Sequence, residues 1–131
     1  MSALSQALEF TNYLGTASVA VQYPNSGTGV SVYYSGWAQG DGYYGSSSGL
    51  HTVMYTCSAD FVGTVTMQAS LATKPASNDW FNVVGTTSTY LLADNRNTST
   101  VDIYNFTGNF VWVRGQVSIA NGQMQSVLYN H

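Results

Sequence analysis

Few side chains in this sequence could do acid, base or nucleophilic work. They are His51, His131, Cys57, Glu9 and the aspartates Asp41, Asp60, Asp79, Asp94 and Asp102. Nucleophilic catalysis needs a nucleophile and a base within hydrogen-bond reach of each other. His51 and Cys57 are the nearest such pair. On one strand their spacing puts them about 20 Å apart, too far for a dyad. Cys57 reads as a small buried apolar residue, and His131, the last residue, is expected to be frayed or at an interface. Asp41, Asp60, Asp79 and Asp94 fall in turns, where an aspartate caps its own backbone. Asp102 falls in a strand, and an edge or solvent-facing place accounts for it. Asp94-Asn95-Arg96-Asn97 offers oxygen ligands without the spacing or closing Glu of a calcium loop. One Cys and two distant His do not make a zinc site, and no Gly-rich phosphate loop is present. The expectation is a protein with no catalytic residues, no metal and no cofactor. Asn97-Thr98-Ser99 and Asn105-Phe106-Thr107 match the glycosylation pattern, but no secretion signal accompanies them.

The residues with the clearest capacity for recognition are aromatic. Tyr33, Tyr34, Trp37, Tyr43 and Tyr44 fall in one short segment, with Asp41 among them. Tyr and Trp anchor protein contacts. Aromatic rings beside amides and carboxylates also describe a sugar platform, with a ring against a pyranose face and polar groups on the hydroxyls. Core packing competes with both uses and must hold for one residue of each adjacent Tyr pair. Segment 33–44 is therefore a candidate subunit contact, with Trp37, Asp41, Tyr43 and Tyr44 as the glycan alternative.

The composition narrows the partners. The chain has 131 residues, enough for one domain with its own core. Only 7% of them are charged, against roughly 25% in an ordinary domain. Lys74, Arg96 and Arg114 are the only cations, too few for a nucleic-acid footprint or a polybasic membrane patch. No apolar run approaches the length of a membrane span. Interfaces are depleted of charge at their centres and enriched in Tyr and Trp. The composition therefore points to a surface covered by copies of the same chain or by a scaffold. Beginning at Met1 without a leader, the chain is expected to be a complete reading frame made in a cytoplasm.

The elements that must position these residues are strands. Residues 1–14 are the exception: Leu4 and Leu8 sit one helical turn apart, and the segment reads as a cap or docking arm carrying Leu4, Leu8 and Phe10 to a neighbour. The rest, 15–131, reads as about nine strands in an antiparallel β-sandwich or jelly roll. Val65, Met67, Ala69 and Leu71 alternate with Thr64, Thr66, Gln68 and Ser70, the signature of a half-buried strand. Residues 98–106 and 109–119 are expected to form a hairpin through Thr107-Gly108-Asn109, and Asn121-Gly122 a second one. Within 109–119, Val111, Val113, Val117 and Ile119 share one face, and Phe110, Trp112, Arg114 and Gln116 the other. Arg114 is expected to be partly buried, stacked on an aromatic and paired with an aspartate. A shift of 48 residues superposes Thr52, Val53, Val65, Gln68 and Ser70 on Thr100, Val101, Val113, Gln116 and Ser118, which reads as two similar strand pairs.

Several runs also resemble a known class. They are Tyr55-Thr56-Cys57, Phe61 to Val65, Gln68 to Leu71 and Asp79-Trp80-Phe81, then Tyr104 to Arg114, Gly122 and Leu128-Tyr129-Asn130. Together, over about residues 50–131, they resemble small β-sandwich virion proteins of tailed phages, particularly T4-like phages of marine cyanobacteria. The resemblance implies a homo-oligomeric capsid decoration, neck or fibre component. It would be located in the virion, with a capsid or neck scaffold as partner and possible contact with surface glycan.

Overall fold

Alternating side chains give two antiparallel sheets whose apolar faces meet. The computed structural model describes residues 5–11, 17–22, 31–45, 49–91, 94 and 96–131. In chain order the strands are β1 (Gln6–Ala7), β2 (Phe10–Thr11), β3 (Ala17–Ser18), β4 (Val21–Gln22), β5 (Ser31–Tyr34), β6 (Ala38–Gln39), β7 (Leu50–Cys57), β8 (Val62–Ser70), β9 (Phe81–Asn82), β10 (Ser88–Tyr90), β11 (Thr100–Thr107), β12 (Trp112–Asn121) and β13 (Gln123–Asn130). One 3-10 turn spans Asp41–Tyr44. The first sheet has the order β1-β13-β7-β11, with β4 also on β13. The second has the order β10-β8-β12-β5, with β6 on β12 and β9 on β8.

From β7 onward the chain changes sheet between β7 and β8, β10 and β11, β11 and β12, and β12 and β13. That is jelly-roll connectivity, as the sequence led us to expect. It corrects both hairpins. Strands β11 and β12 lie in opposite sheets, joined by a crossover in which Gly108 N–H donates to the Gly49 carbonyl (2.9 Å) and Val111 N–H to the Ser70 carbonyl (3.0 Å). Asn121-Gly122 is likewise a tight crossover, with Gly122 at φ 75°. Turn chemistry reverses the chain; it does not say which sheet the next strand joins.

The core lies between the sheets. Val53, Tyr55 and Cys57 of β7 and Val127 and Tyr129 of β13 face Val65, Met67 and Ala69 of β8 and Val113, Val117 and Ile119 of β12. Hydroxyls and backbone satisfy the polar groups around Tyr55. Tyr55 reaches across to donate to the Thr86 carbonyl (2.8 Å), and Thr86 Oγ1 accepts from Met67 N–H (3.1 Å) while donating to the Val83 carbonyl (2.8 Å). The segment between β9 and β10 thereby closes the edge of β8 where no strand lies. Of the 48-residue superposition, Val65 and Val113 are both buried, but Val53 is buried and Val101 exposed. The likeness therefore does not preserve facing.

The N-terminal arm is also corrected. Gln6 and Ala7 pair with β13, and Phe10 and Thr11 pair with β3. Leu8 and Phe10 are buried in the chain's own core and cannot serve a neighbour. Leu4 lies outside the described residues. The reason is visible in β12. Gly115 sits mid-strand, and a Cβ there would stand 3.0 Å from Phe10 Cζ. A strand-interior glycine marks such a close approach. The Gly115 N–H donates to Ser35 Oγ (2.7 Å), and its carbonyl accepts from Ser35 N–H (2.9 Å). Phe10 thus fills the notch that Gly115 leaves.

His51 is fully buried at one end of the core, stacked on Phe106 (4.9 Å, 6°) and near Tyr129 (5.9 Å). Neither ring nitrogen has a hydrogen-bond partner. Burial pushes its pKa down, outweighing the opposite pull of Asp41 and of the Gly49 and Phe106 backbone; nearby His131 adds to the lowering. His131 is not frayed: its Nδ1 lies 2.9 Å from Asp41 Oδ1, and Asp41 Oδ2 accepts from Gly49 N–H (2.8 Å).

Two outcomes follow for stability. Phe10→Ala should cost about 3–5 kcal/mol in urea unfolding followed by circular dichroism. Gly115→Ala should cost about 1–3 kcal/mol alone and much less in the Phe10→Ala background, because the two sites share one space; additive losses would contradict the notch. Second, burial holds the His51 pKa below its ordinary value, so as pH falls the unfolded chain, with an ordinary pKa of about 6.5, takes up that proton before the fold does. The unfolded state then binds more protons, so stability present above pH 6.5 is lost as pH falls. Urea midpoints measured from pH 7 to pH 5 should decline, and His51→Phe should flatten that decline. An unchanged slope in His51→Phe would assign the loss to other groups.

Candidate aromatic recognition face

The outer face of the second sheet collects what β12 and its neighbours turn away from the core. Val113, Gly115, Val117 and Ile119 point inward, so Trp112, Arg114 and Gln116 point outward. Register sets their partners: Trp112 opposite Ser70, Arg114 opposite Gln68, and Gln116 opposite Thr66 on one side and Tyr34 on the other. On β9, Asn82 lies opposite Gln68.

Three irregular segments add rings to this face. After β5 the chain leaves the sheet at Ser35 and rejoins β12 at β6, which throws Trp37 outward. The 3-10 turn is pinned to the start of β12, with Gly40 N–H donating to the Val111 carbonyl (3.0 Å) and Gly42 N–H to the Phe110 carbonyl (2.8 Å). This sets Tyr43 against Trp112 at 5.1 Å. The loop before β9 brings Trp80. Trp37 stands between the other two tryptophans, 5.5 Å from Trp80 and 5.7 Å from Trp112. The Trp112 indole is held by donating Nε1–H to the Thr73 carbonyl (3.0 Å). Trp37 and Tyr43 remain 48% and 47% exposed.

Arg114 closes the other end. Its guanidinium carbon lies 4.3 Å from the Tyr34 ring centre and 4.3 Å from that of Trp80. Its Nε–H donates to Gln68 Oε1 (2.9 Å), and Gln68 Nε2 donates onward to Asn82 Oδ1 (2.9 Å). Gln116 donates to the Tyr34 hydroxyl (3.3 Å). The expectation of a partly buried, ring-stacked Arg114 holds, but its polar partner is an amide and not an aspartate. Two aspartates are engaged elsewhere: Asp102 accepts from the Tyr90 hydroxyl, and Asp94 pairs with Arg96. The result is a surface running Tyr43, Trp112, Trp37, Trp80, Arg114, Tyr34, edged by neutral amides.

Of the residues singled out in the sequence, Tyr34, Trp37 and Tyr43 are on this face. Tyr33 is buried in the core, as one of each adjacent pair had to be. Asp41 is buried beneath, anchoring the turn, and so is a support and not a contact. The Tyr44 side chain lies outside the described residues. The sequence reading missed Trp80, Trp112 and Gln68 as part of the site. Alternation had put Trp112 and Arg114 outward; only the sheet order brings Trp80 and Tyr34 to them. Cys57 is buried on β7, six positions from His51, facing the core. Among the described residues no group of three His, Cys, Asp or Glu is placed to hold a metal ion.

No protein-family model matches the chain, and no curated protein sequence matches it. Among solved structures, the chain is similar to the C-terminal CBM6 of a marine laminarinase from Zobellia galactanivorans, with TM-score 0.47, 14% identity, and coverage of 98% of this chain and 91% of that one. It is similar to a CBM35 from Cellvibrio japonicus, with TM-score 0.45, 12% identity, and coverage of 99% and 94%. It is also similar to the K1 cleaved adhesin domain of Lys-gingipain from Porphyromonas gingivalis, with TM-score 0.46, 11% identity, and coverage of 99% and 92%. These likenesses are remote.

Proposed function

We propose that the chain is a binding module for neutral carbohydrate, acting through the outer face of its second sheet. One observation carries the reading: three tryptophans, Tyr43 and a Tyr34–Arg114–Trp80 stack form one connected, solvent-facing surface edged by Gln68, Gln116 and Asn82. A contiguous exposed aromatic patch marks an interaction site. Pyranose rings present C–H faces that stack on indole and phenol, and their hydroxyls both donate and accept, as amides do. The polar partners in line with Arg114 are the amides Gln68 and Asn82, which suit the hydroxyls of an uncharged sugar. The rings are fixed before any ligand arrives, by the Trp112–Thr73 bond and by the stack around Arg114, so little ordering cost accompanies binding. The reading is of binding without bond cleavage, in keeping with a His51 sealed in the core.

A second reading, the phage structural subunit that the sequence resemblance implies, is favoured by a different surface: the uncharged outer face of the first sheet. The two readings part on glycans. A glycan array probed with the full chain should return neutral polysaccharide fragments, and calorimetry on the best of them should show Trp37→Ala weakening binding at least about tenfold. The same variant should keep the native far-UV circular dichroism and a cooperative urea transition, since Trp37 is half exposed and outside the core. No binding at high micromolar protein, or binding indifferent to Trp37→Ala, would overturn the carbohydrate reading and leave the structural one.

A further inference from the structure

The first sheet turns a different surface outward. Its register builds rows of like chemistry across the strands. Ala7, Leu128, Met54 and Ile103 form one apolar row from β1 through β13 and β7 to β11. Ser126, Thr56 and Val101 form the row on one side, and Asn130, Thr52 and Asn105 the row on the other. In that last row Thr52 Oγ1 donates to Asn105 Oδ1 (2.7 Å), and Asn130 Nδ2 to Ser5 Oγ (3.3 Å). A shallow groove of about 200 Å³ runs along the face between Met54, Ile103, Leu128 and Thr52. Ile103 is 60% exposed, and Val101 is exposed beside it. Among the described residues no strand pairs with the outer edge of β11, and β11 carries neither the Lys nor the Pro that normally guards such an edge.

We propose that this face is the contact surface for a second copy of the chain, two copies meeting sheet to sheet about a two-fold axis. Charge selects the occupant. The outward positions of β13, β7 and β11 hold no charged side chain; Asp102 of β11 turns inward to Tyr90. The net charge of −3 therefore sits elsewhere, and two copies can meet here without like-charge repulsion, whereas an acidic or basic partner would find no counter-ion. Apart from Val101, the flanking rows are Ser, Thr and Asn, which donate and accept equally well, so they satisfy their own kind across an isologous contact. The area fits a weak, concentration-dependent pair. Three eight-residue strands and the two-residue β1, at about 4.8 Å per strand and 3.3 Å per residue, cover roughly 400 Å² per copy. Two copies then remove about 800 Å² from water, in the range of transient contacts. The proposal does not depend on the carbohydrate reading, which concerns the opposite sheet.

The test is sedimentation velocity on the full chain from about 1 to about 100 micromolar, without glycan. The wild type should show a monomer–dimer equilibrium. Ile103→Lys should raise its dissociation constant at least about tenfold, by placing like charges at the centre of the contact, with the far-UV circular dichroism unchanged. Met54→Gln should weaken the dimer in the same direction without adding charge. Leu71→Lys, an exposed leucine after β8, should leave it intact. A wild type that stays monomeric throughout that range would give the face to an unlike partner and overturn the proposal. So would a dimer that withstands both Ile103→Lys and Met54→Gln.

Discussion

From β7 to β13 the chain passes between the sheets four times, so neither sheet can be completed without the other. The pairings this requires join residues far apart in sequence, such as Thr52 with Asn105 and Gln68 with Arg114, and such non-local contacts form late and together. Everything on the two outer faces depends on that exchange. Strand β12 sits between β8 and β5 only because its predecessor was left in the other sheet. That position is what lets Arg114 lie between a ring from β5 and a ring from the loop before β9. The Tyr55–Thr86 bond completes the constraint, tying the middle of the first sheet to the turn that closes the second.

Scarcity of charge shapes how the rest is held. Hydroxyls and amides do what ion pairs do in most domains. Thr66, Thr86 and Thr87 form one cluster beneath the edge of β8. The chain's two arginines are each committed. Arg96 pairs with Asp94 (3.0 Å), donates to the Phe61 carbonyl and lies over the Tyr90 ring at 5.1 Å. Arg114 is stacked between rings. Three turn aspartates serve as local ties: Asp79 accepts from Ala76 N–H, Asp60 from Ser58 Oγ, and Asp94 from Leu91 N–H. Interactions of this kind are short-ranged and little screened by salt, unlike surface ion pairs.

Much of the architecture was legible in the sequence, because alternation is a direct consequence of strand geometry. Val65, Met67 and Ala69 gave a strand with a correct inner face, though Leu71, expected on it, lies past the strand end and is exposed, and Thr66 and Ser70, expected outside, are buried; the sandwich class followed from many such segments. What was not legible was assignment to a sheet. Thr107-Gly108-Asn109 reads identically whether the next strand pairs with the last or crosses over it. The N-terminal segment misled for a related reason. Leu4 and Leu8 fit a helical period, while Leu8 and Phe10 fit a strand, and only the notch at Gly115, over a hundred residues away, favours the second. The recognition face was half visible: Tyr34, Trp37 and Tyr43 came from local aromatic density, whereas Trp80 and Arg114 join them through tertiary structure alone.

The gathering of all three tryptophans on one face has an optical consequence. With Trp37 within 6 Å of both Trp80 and Trp112, the indoles are close enough to exchange excitation, and the whole tryptophan emission of the chain reports on one patch of surface. The first sheet carries none of them. An event on the aromatic face would shift and quench the emission of the native chain, while an event on the opposite face would leave it unchanged. The two surfaces can therefore be watched separately in one unlabelled sample.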